Sequence, residues 1–373
     1  MSLLYAERDW DYIVKKTQRR WVAKNAYGKT LAQSATNTSL EDLFNACIND
    51  NVDAPKYIRG SGGGQAFNID GTIIVSKNTR LDLGGQNQVG KLSLEASADC
   101  DMIAPEDVND TPNVILSNMQ LDGNADNQSA GNWDGISWEI TDATSASGGT
   151  LWMLDIYNIK ADDCKRNNIR VTTSTGSYAT LVMDTIKAYS ADAEEIYLGR
   201  CFDGAWSRIQ CGEMVMEDNC DSNNIYDLYL AGAHSPNLYI DGCEENGFTL
   251  VRSDNSSGKS IVIEDSQWQQ FSNTQITNLN EFAADDTWTA IEIDNSDNTR
   301  FFGLGFVKNP AESSPNYKYG IQEINASTLT LLVGADFDDA CATAEIDALA
   351  ASGSLWREAY YDNAGTLTAA RVV

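Results

Sequence analysis

The sequence predicts an all-β chain whose central part, residues 67–346, is a right-handed parallel β-helix, and three observations carry that prediction. Short runs rich in β-branched and aromatic residues recur, among them FNIDGTIIV, NVILSNMQLDG and LWMLDIYNI, punctuated by Gly, Asn and Asp. No helical pattern long enough for βαβ units lies between them. A composite signature repeats along the chain, with successive markers 23 to 29 residues apart.

That repeat is legible in ADDCKRNNIRV, SADAEEIYL, DNCDSNNIYDL, DGCEENGFTL, QQFSNTQITNL and DDACATAEIDA. Aligned on Ile169, Ile196, Ile225, Phe248, Ile276 and Ile346, the residue five positions earlier is Cys164, Ala191, Cys220, Cys243, Phe271 and Cys341. Coils of parallel strands stack about 4.8 Å apart, so equivalent inward side chains fall over one another. The expectation is an interior ladder of Cys164, Ala191, Cys220, Cys243 and Cys341 at a tight corner, with Phe271 demanding a local widening. Asn and Gly just after the corner tolerate the left-handed backbone it needs.

Ahead of the repeats, residues 5–24 place Trp10, Ile13, Val14, Thr17, Trp21 and Val22 at helical spacing, with basic residues mostly on the other face. Residues 1–35 are read as a basic helical attachment arm: seven Lys and Arg against three acids, a net of +4, on a body that carries −32. Trp10, Lys15, Lys16, Arg19, Arg20 and Trp21 would make its contacts. Ser39 then stands as N-cap before a stripe of Leu40, Leu43, Phe44 and Ile48. Such a helix, within a capping segment and linker at 36–66, would cover the open edge of the first coil. Residues 347–373 would cap the far end.

Composition narrows the function classes. The chain of 373 residues has 54 acidic and 26 basic side chains, a formal net charge of −28. Nucleic acid is a poor partner for such a body, because phosphate contacts need cationic patches. An acidic, lysine-poor surface fits a high-salt environment, where salt screens self-repulsion. No stretch is apolar enough for a membrane span, and charges stand where a signal peptide would be apolar. Of the eight cysteines, four sit at the proposed corner and none forms CxxC, so buried thiols are expected, with a Cys201–Cys211 pair left open. The single histidine, His234, lies in a turn and is read as a solvated side chain.

Residues 113–171 carry a family resemblance. NVILSNMQLDGNADNQSAGNWDGISWEI followed by LWMLDIYNIKADDCKRNNIRV resembles the pectate-lyase-like right-handed β-helix superfamily, with its strand, Leu-Asp-Gly-Asn turn, variable loop and Gly-Ile restart. The order of arm, shaft and C-terminal segment resembles viral tailspikes and capsid spikes, here of a halophilic (haloarchaeal) virus. The resemblance implies a virion-exterior spike for host-surface recognition. It would attach to other virion proteins through the arm, bind a host glycan or glycoprotein, and form a homo-oligomer, a trimer by default. The alternative it leaves open is a lyase or glycoside hydrolase acting on host surface glycan.

If the chain were an enzyme, the candidate carboxylates are Asp162, Asp163, Asp192, Asp218, Asp241 and Glu244, which lie near the corner in successive coils. A ladder bearing so many acids produces such pairs by chance. Asp122, Asn124 and Asp126 have the alternating spacing that opens a Ca²⁺ loop, but Trp133 stands where the loop's closing Glu belongs. Ca²⁺ or another cation on acidic turns is the one cofactor this allows. Trp133, Trp138, Trp152, Trp206, Trp268 and Trp288 could serve as sugar platforms or as core, and the sequence does not divide them.

Overall fold

The structure is a computed structural model and describes residues 10–51, 54–84, 90–106, 112–129, 131–140, 152–173, 179–277, 288–307, 317–325, 327, 331–336, 341–348, 360–361 and 367–368. The chain divides into two compact units, Met1–Glu195 and Ile196–Val373, and in each the strands build a parallel β-solenoid.

The first unit opens on strands where a helix was expected. β1 (Tyr12–Lys16) pairs antiparallel with β2 (Trp21–Asn25), and β2 with β3 (Thr30–Ser34). Tyr12 and Val14 are buried while Ile13 and Lys15 between and after them are less so, a period of two. Thr17 closes the turn by donating its amide (2.8 Å) and its hydroxyl (2.7 Å) to the Arg20 carbonyl. β1 also gains a parallel partner in β4 (Lys56–Ser61). Apolar residues spaced for a helix also satisfied strand alternation, and the β-branched and aromatic content together with tertiary pairing decided between them.

The second expected helix exists as α1 (Glu41–Asn49), but Ser39 does not cap it. Leu40 holds the N-cap position without a side-chain bond, and the Ser39 hydroxyl donates instead to Asp70 at 2.8 Å. The Asp70 amide donates to the Glu41 carboxylate at 3.2 Å, tying the helix start to a coil residue. Leu43, Phe44, Cys47 and Ile48 form the buried face. Phe67 receives Phe44 edge-on at 5.2 Å and Trp21 at 5.0 Å. The parallel sheet starts earlier than expected, because β4 falls inside the segment read as linker.

Beyond β4 the first unit stacks in register. One inward column runs Tyr12, Ile58, Leu81, Leu116, Ile156 and Met183; a second, in the other sheet, runs Ile73, Ile103, Ile136 and Ile169. All ten are buried. The long strands bend where the register skips, at Asn118, Asn158 and Thr185, which share φ of 54°, 52° and 59°. A left-handed residue at the same place in each coil turns one ribbon into two faces.

The second unit repeats the plan. One column holds Trp206, Ile225, Phe248, Phe271, Phe301 and Leu332, and the other holds Ile196, Met214, Leu238, Ile261, Ile291, Ile321 and Ile346. The six sequence markers therefore mixed two faces. Ile196 and Ile346 belong to one sheet of this unit and Ile225 and Phe248 to the other, while Phe271, not Ile276, lies over Phe248. Both corners carry a small residue followed by polar residues and then an aliphatic one, so a single alignment could not separate them. Phe271 needs no widened corner because it sits in a strand.

The residues of the expected ladder occupy different places. In the second unit Cys220 and Cys243 share it with Cys201, then Ser266, Ser296 and Ser327. In the first unit Cys164 is buried and Ala191 half-buried at the equivalent turn of the next coil. Cys341 is not at a corner: it lies in the strand Cys341–Ala348, opposite Tyr317. Cys201 and Cys211 are free thiols. Of residues 347–373 the described part is short, and includes Tyr360–Tyr361 paired antiparallel with Leu367–Thr368.

Candidate functional site

The outward face of the second unit carries a groove of about 330 Å³ lined by Asn224, Glu245, Asn246, Gly247, Trp268, Gln270 and Arg300. Strand register builds it. Asn224, Gly247, Gln270 and Arg300 stand opposite one another in four successive coils, so they form one outward row. Gly247 has no side chain, which leaves a notch in the row roughly two coil spacings, or about 10 Å, from Asn224 to Gln270. Glu245 and Trp268 flank it from the preceding corner, both with left-handed backbones (φ 56° and 58°). Trp268 is 45% exposed, and the Arg300 guanidinium lies 5.6 Å from its ring centroid. Tyr226, 52% exposed, lies two residues along the strand from Asn224.

A different feature runs along the second unit's other sheet. Asp241, Glu264 and Asp294 are partners in successive strands, with Glu217 at the end of the strand before them. The Tyr197 hydroxyl donates to Glu217 at 2.5 Å and the Tyr239 hydroxyl to Glu264 at 2.7 Å. Burial pushes the Asp241 carboxyl up to about 6, helped by the negative charges of Glu264 and Glu217. Asp221 is likewise pushed up to about 6 by burial and by Glu244, even though it accepts the Glu244 amide at 2.5 Å. Carboxyls poised near 6 can hold a proton at mildly acid pH, the property a general acid requires.

The candidate carboxylates fall into separate groups. Asp241 belongs to the acidic column, Asp218 follows Glu217 just outside it and adds its charge to Asp241, and Glu244 adjoins Asp221. In the first unit Asp162 is paired with Lys160 at 2.9 Å and Asp192 with Lys165 at 2.7 Å. Burial and the charges of Asp122, Asp126 and Asp162 raise the Asp163 carboxyl. At the proposed cation turn, Asp122 takes Lys91 at 2.5 Å, and the Asn124 side-chain amide donates to the Leu94 carbonyl at 3.0 Å. His234 is not simply solvated: its Nδ1 lies 3.2 Å from the Glu213 carboxylate. Sequence reading missed Glu217, Glu264, Tyr239, Arg300 and Glu245, because strand register rather than local spacing brings them together.

The tryptophans divide. Trp138 and Trp206 are core at 1% exposure, whereas Trp268 and Trp288 are exposed. Trp133 is half-buried, and Trp152 lies in a strand with its side chain outside the described residues. Among the arm residues, Trp21 is buried against Phe67 under Lys16, whose ammonium is 5.7 Å from the ring. Trp10 is half-buried, and Arg19, Arg20 and Lys24 line a groove of about 460 Å³ at the β1–β2 turn.

No protein-family model and no curated protein matches the chain. Solved structures do. The A-module of the mannuronan C-5 epimerase AlgE4 from Azotobacter vinelandii aligns with a TM-score of 0.56 at 15% identity, covering 84% of this chain and 95% of that one. The enzymatically active domain of bacteriophage CBA120 tailspike protein 2 aligns at 0.58 with 14% identity, over 78% of this chain but only 44% of that domain. DFA-IIIase from Arthrobacter chlorophenolicus A6, solved in complex with GF2, aligns at 0.51 with 12% identity, over 93% and 94%. The likeness is one of fold. All three similarities are to β-helix architecture, phage tailspikes included, at identities too low to carry an activity across.

Proposed function

We propose that the chain is a virion-surface spike or fibre protein that recognises host-surface glycan, by binding rather than by cutting it. Trp268 carries this reading. It is a large aromatic, nearly half exposed, held over a polar groove in a backbone conformation that a bulky side chain disfavours. Neither core packing nor backbone preference accounts for a tryptophan there, while a flat apolar face beside hydrogen-bonding groups suits a sugar ring. The tailspike likeness supports a place on a particle. In the same reading Lys15, Lys16, Arg19 and Arg20 face an acidic partner on the particle, the copies associate as a homo-oligomer, a trimer by default, and the acidic surface suits a high-salt host.

One observation favours the enzymatic alternative. Asp241, with its carboxyl near 6 beside Glu217 and Glu264, has the environment of a general acid. Incubation of purified protein with host surface glycan separates the two readings. Binding with no release of reducing ends or unsaturated sugars is expected, and product release that Asp241→Asn abolishes would overturn the binding-only reading.

A further inference from the structure

We infer that the Trp268 groove takes an acidic sugar, with the sugar face on the indole and its carboxylate on Arg300. The inference rests on the glycan-binding reading and specifies its ligand class. Charge is the starting point. In a protein of net charge −28, cations are scarce, and several of the described ones are held by neighbouring carboxylates. Arg80 sits on Asp82, Arg166 on Asp134, Arg252 on Asp254, and Lys259 on Glu292. Arg300 differs from these four and stands at a groove: among the described residues its guanidinium lies on the Trp268 ring, with no carboxylate within ion-pair distance. A guanidinium left with its fork open, at the edge of a groove, is a carboxylate receptor by geometry.

The rest of the groove fits a sugar acid better than a simple anion. Gly247 opens a notch in the outward row, Asn224 and Gln270 stand on its two sides, and both are exposed amides able to donate to and accept from hydroxyls. Glu245, on the same rim, repels an anion placed beside it but accepts hydrogen bonds from hydroxyls. A ligand with one carboxylate at the Arg300 end and hydroxyls toward Glu245 satisfies both. The volume of about 330 Å³ lies within the range of small-ligand sites.

The corner geometry points the same way. Glu245, Trp268 and Asn298 are equivalent left-handed positions in successive coils, with φ of 56°, 58° and 57°. The coil imposes the conformation; Asn298 meets it with a residue suited to it. Trp268 meets it with one that is not, and aims a ring at Arg300.

The test is calorimetric titration of the full chain with short oligomers of galacturonate, mannuronate and glucuronate, each set against its carboxyl-reduced neutral counterpart. At least one uronate is expected to bind tenfold or more tighter than its neutral counterpart. Arg300→Gln should remove that preference, Trp268→Asn should remove binding to both forms, and Trp288→Phe should change neither. Equal affinity for neutral and acidic forms, or an uronate preference that survives Arg300→Gln, overturns the inference and leaves glycan binding standing. No Trp268-dependent binding to any member of the panel overturns it as well. Host-cell binding by the wild-type chain, measured in parallel, tests the underlying reading separately: loss there sinks the recognition function itself.

Discussion

Phe248 and Phe271 lie face to face in neighbouring coils, their ring centroids 4.5 Å apart and their planes inclined by 6°, and Phe301 continues the stack at 4.9 Å. The coil spacing imposes this offset stack, since identical side chains at one register position must sit about 4.8 Å apart. Phe271 is the middle ring and touches a ring on each side. Phe271→Ala is expected to destabilise the chain by about 3–5 kcal/mol, the range for deleting a buried phenyl group. Phe271→Leu should cost clearly less. Urea denaturation followed by circular dichroism checks both, and a loss under 1 kcal/mol for the alanine variant would contradict the stack's role.

A corner column makes the second prediction. The Cys201 amide donates to Cys220 Sγ at 3.4 Å, the Cys243 amide to Ser266 Oγ at 3.0 Å, and the Ser266 amide to Ser296 Oγ at 3.0 Å. Cysteine and serine thus perform one task, accepting an amide from the coil before. Cys220→Ser should be tolerated within about 1 kcal/mol, whereas Cys220→Val, similar in size but without an acceptor, should cost about 1–3 kcal/mol by orphaning the Cys201 amide. Equal stability of the two variants would show that this bond contributes nothing.

That column also shows what was legible in the sequence. Burial of Cys164, Cys220 and Cys243 could be read from their spacing, because a coil repeats its small corner residue. The continuation through Ser266, Ser296 and Ser327 could not, because serine's commonness in loops hides it. The apolar markers were visible but were assigned to one face, since two corners share a signature. The N-terminal hairpin was misread because its apolar residues fit both periods and its pairing with β4 is non-local. Trp268 was among six ambiguous tryptophans. Only the third dimension brought Arg300, 32 residues later in the chain, onto its ring.

Glu41 ties stability to pH. Burial pushes its carboxyl up to about 7 from an ordinary 4.5, against the Asp70 amide that favours the charged form. The folded state therefore binds more protons than the unfolded state between those values, so stability falls as pH rises from about 4.5 to 7. Glu41→Gln removes the titration. It should match wild type near pH 4 and exceed it at pH 8 by about 1–2 kcal/mol after allowing for solvent screening. A variant less stable than wild type at pH 8 would show that the carboxylate's hydrogen bonds outweigh its burial.

The basic hairpin calls for charge reversal rather than deletion. Removing residues 1–35 would strip β1 from β4 and expose a sheet edge, confounding docking with folding. Arg19 and Arg20 are exposed at the β1–β2 turn, so Arg19→Glu with Arg20→Glu should change stability by less than about 0.5 kcal/mol per site. If the hairpin docks an acidic partner, the double variant should fail to assemble on particles, and wild-type assembly should weaken with salt. Normal incorporation of the double variant would remove the attachment role.

Trp268 sets function against stability. A bulky residue at φ 58° carries a backbone cost of about 1–2 kcal/mol that asparagine largely avoids. Replacing it also gives up its contact with Arg300, about 0.5–1 kcal/mol at an exposed site, and the buried half of the indole, about 2–3 kcal/mol at about 25 cal/mol per Å². The effects oppose each other and are of similar size, so Trp268→Asn should change thermal stability by no more than about 2 kcal/mol, leaving the chain folded, while host-cell binding is lost. A purely structural tryptophan would behave differently, with the variant binding in proportion to its folded fraction. Melting and cell binding measured on one preparation decide between them, because a lost ligand contact abolishes binding by molecules that are still folded, whereas a lost structural contact reduces binding only with the folded fraction.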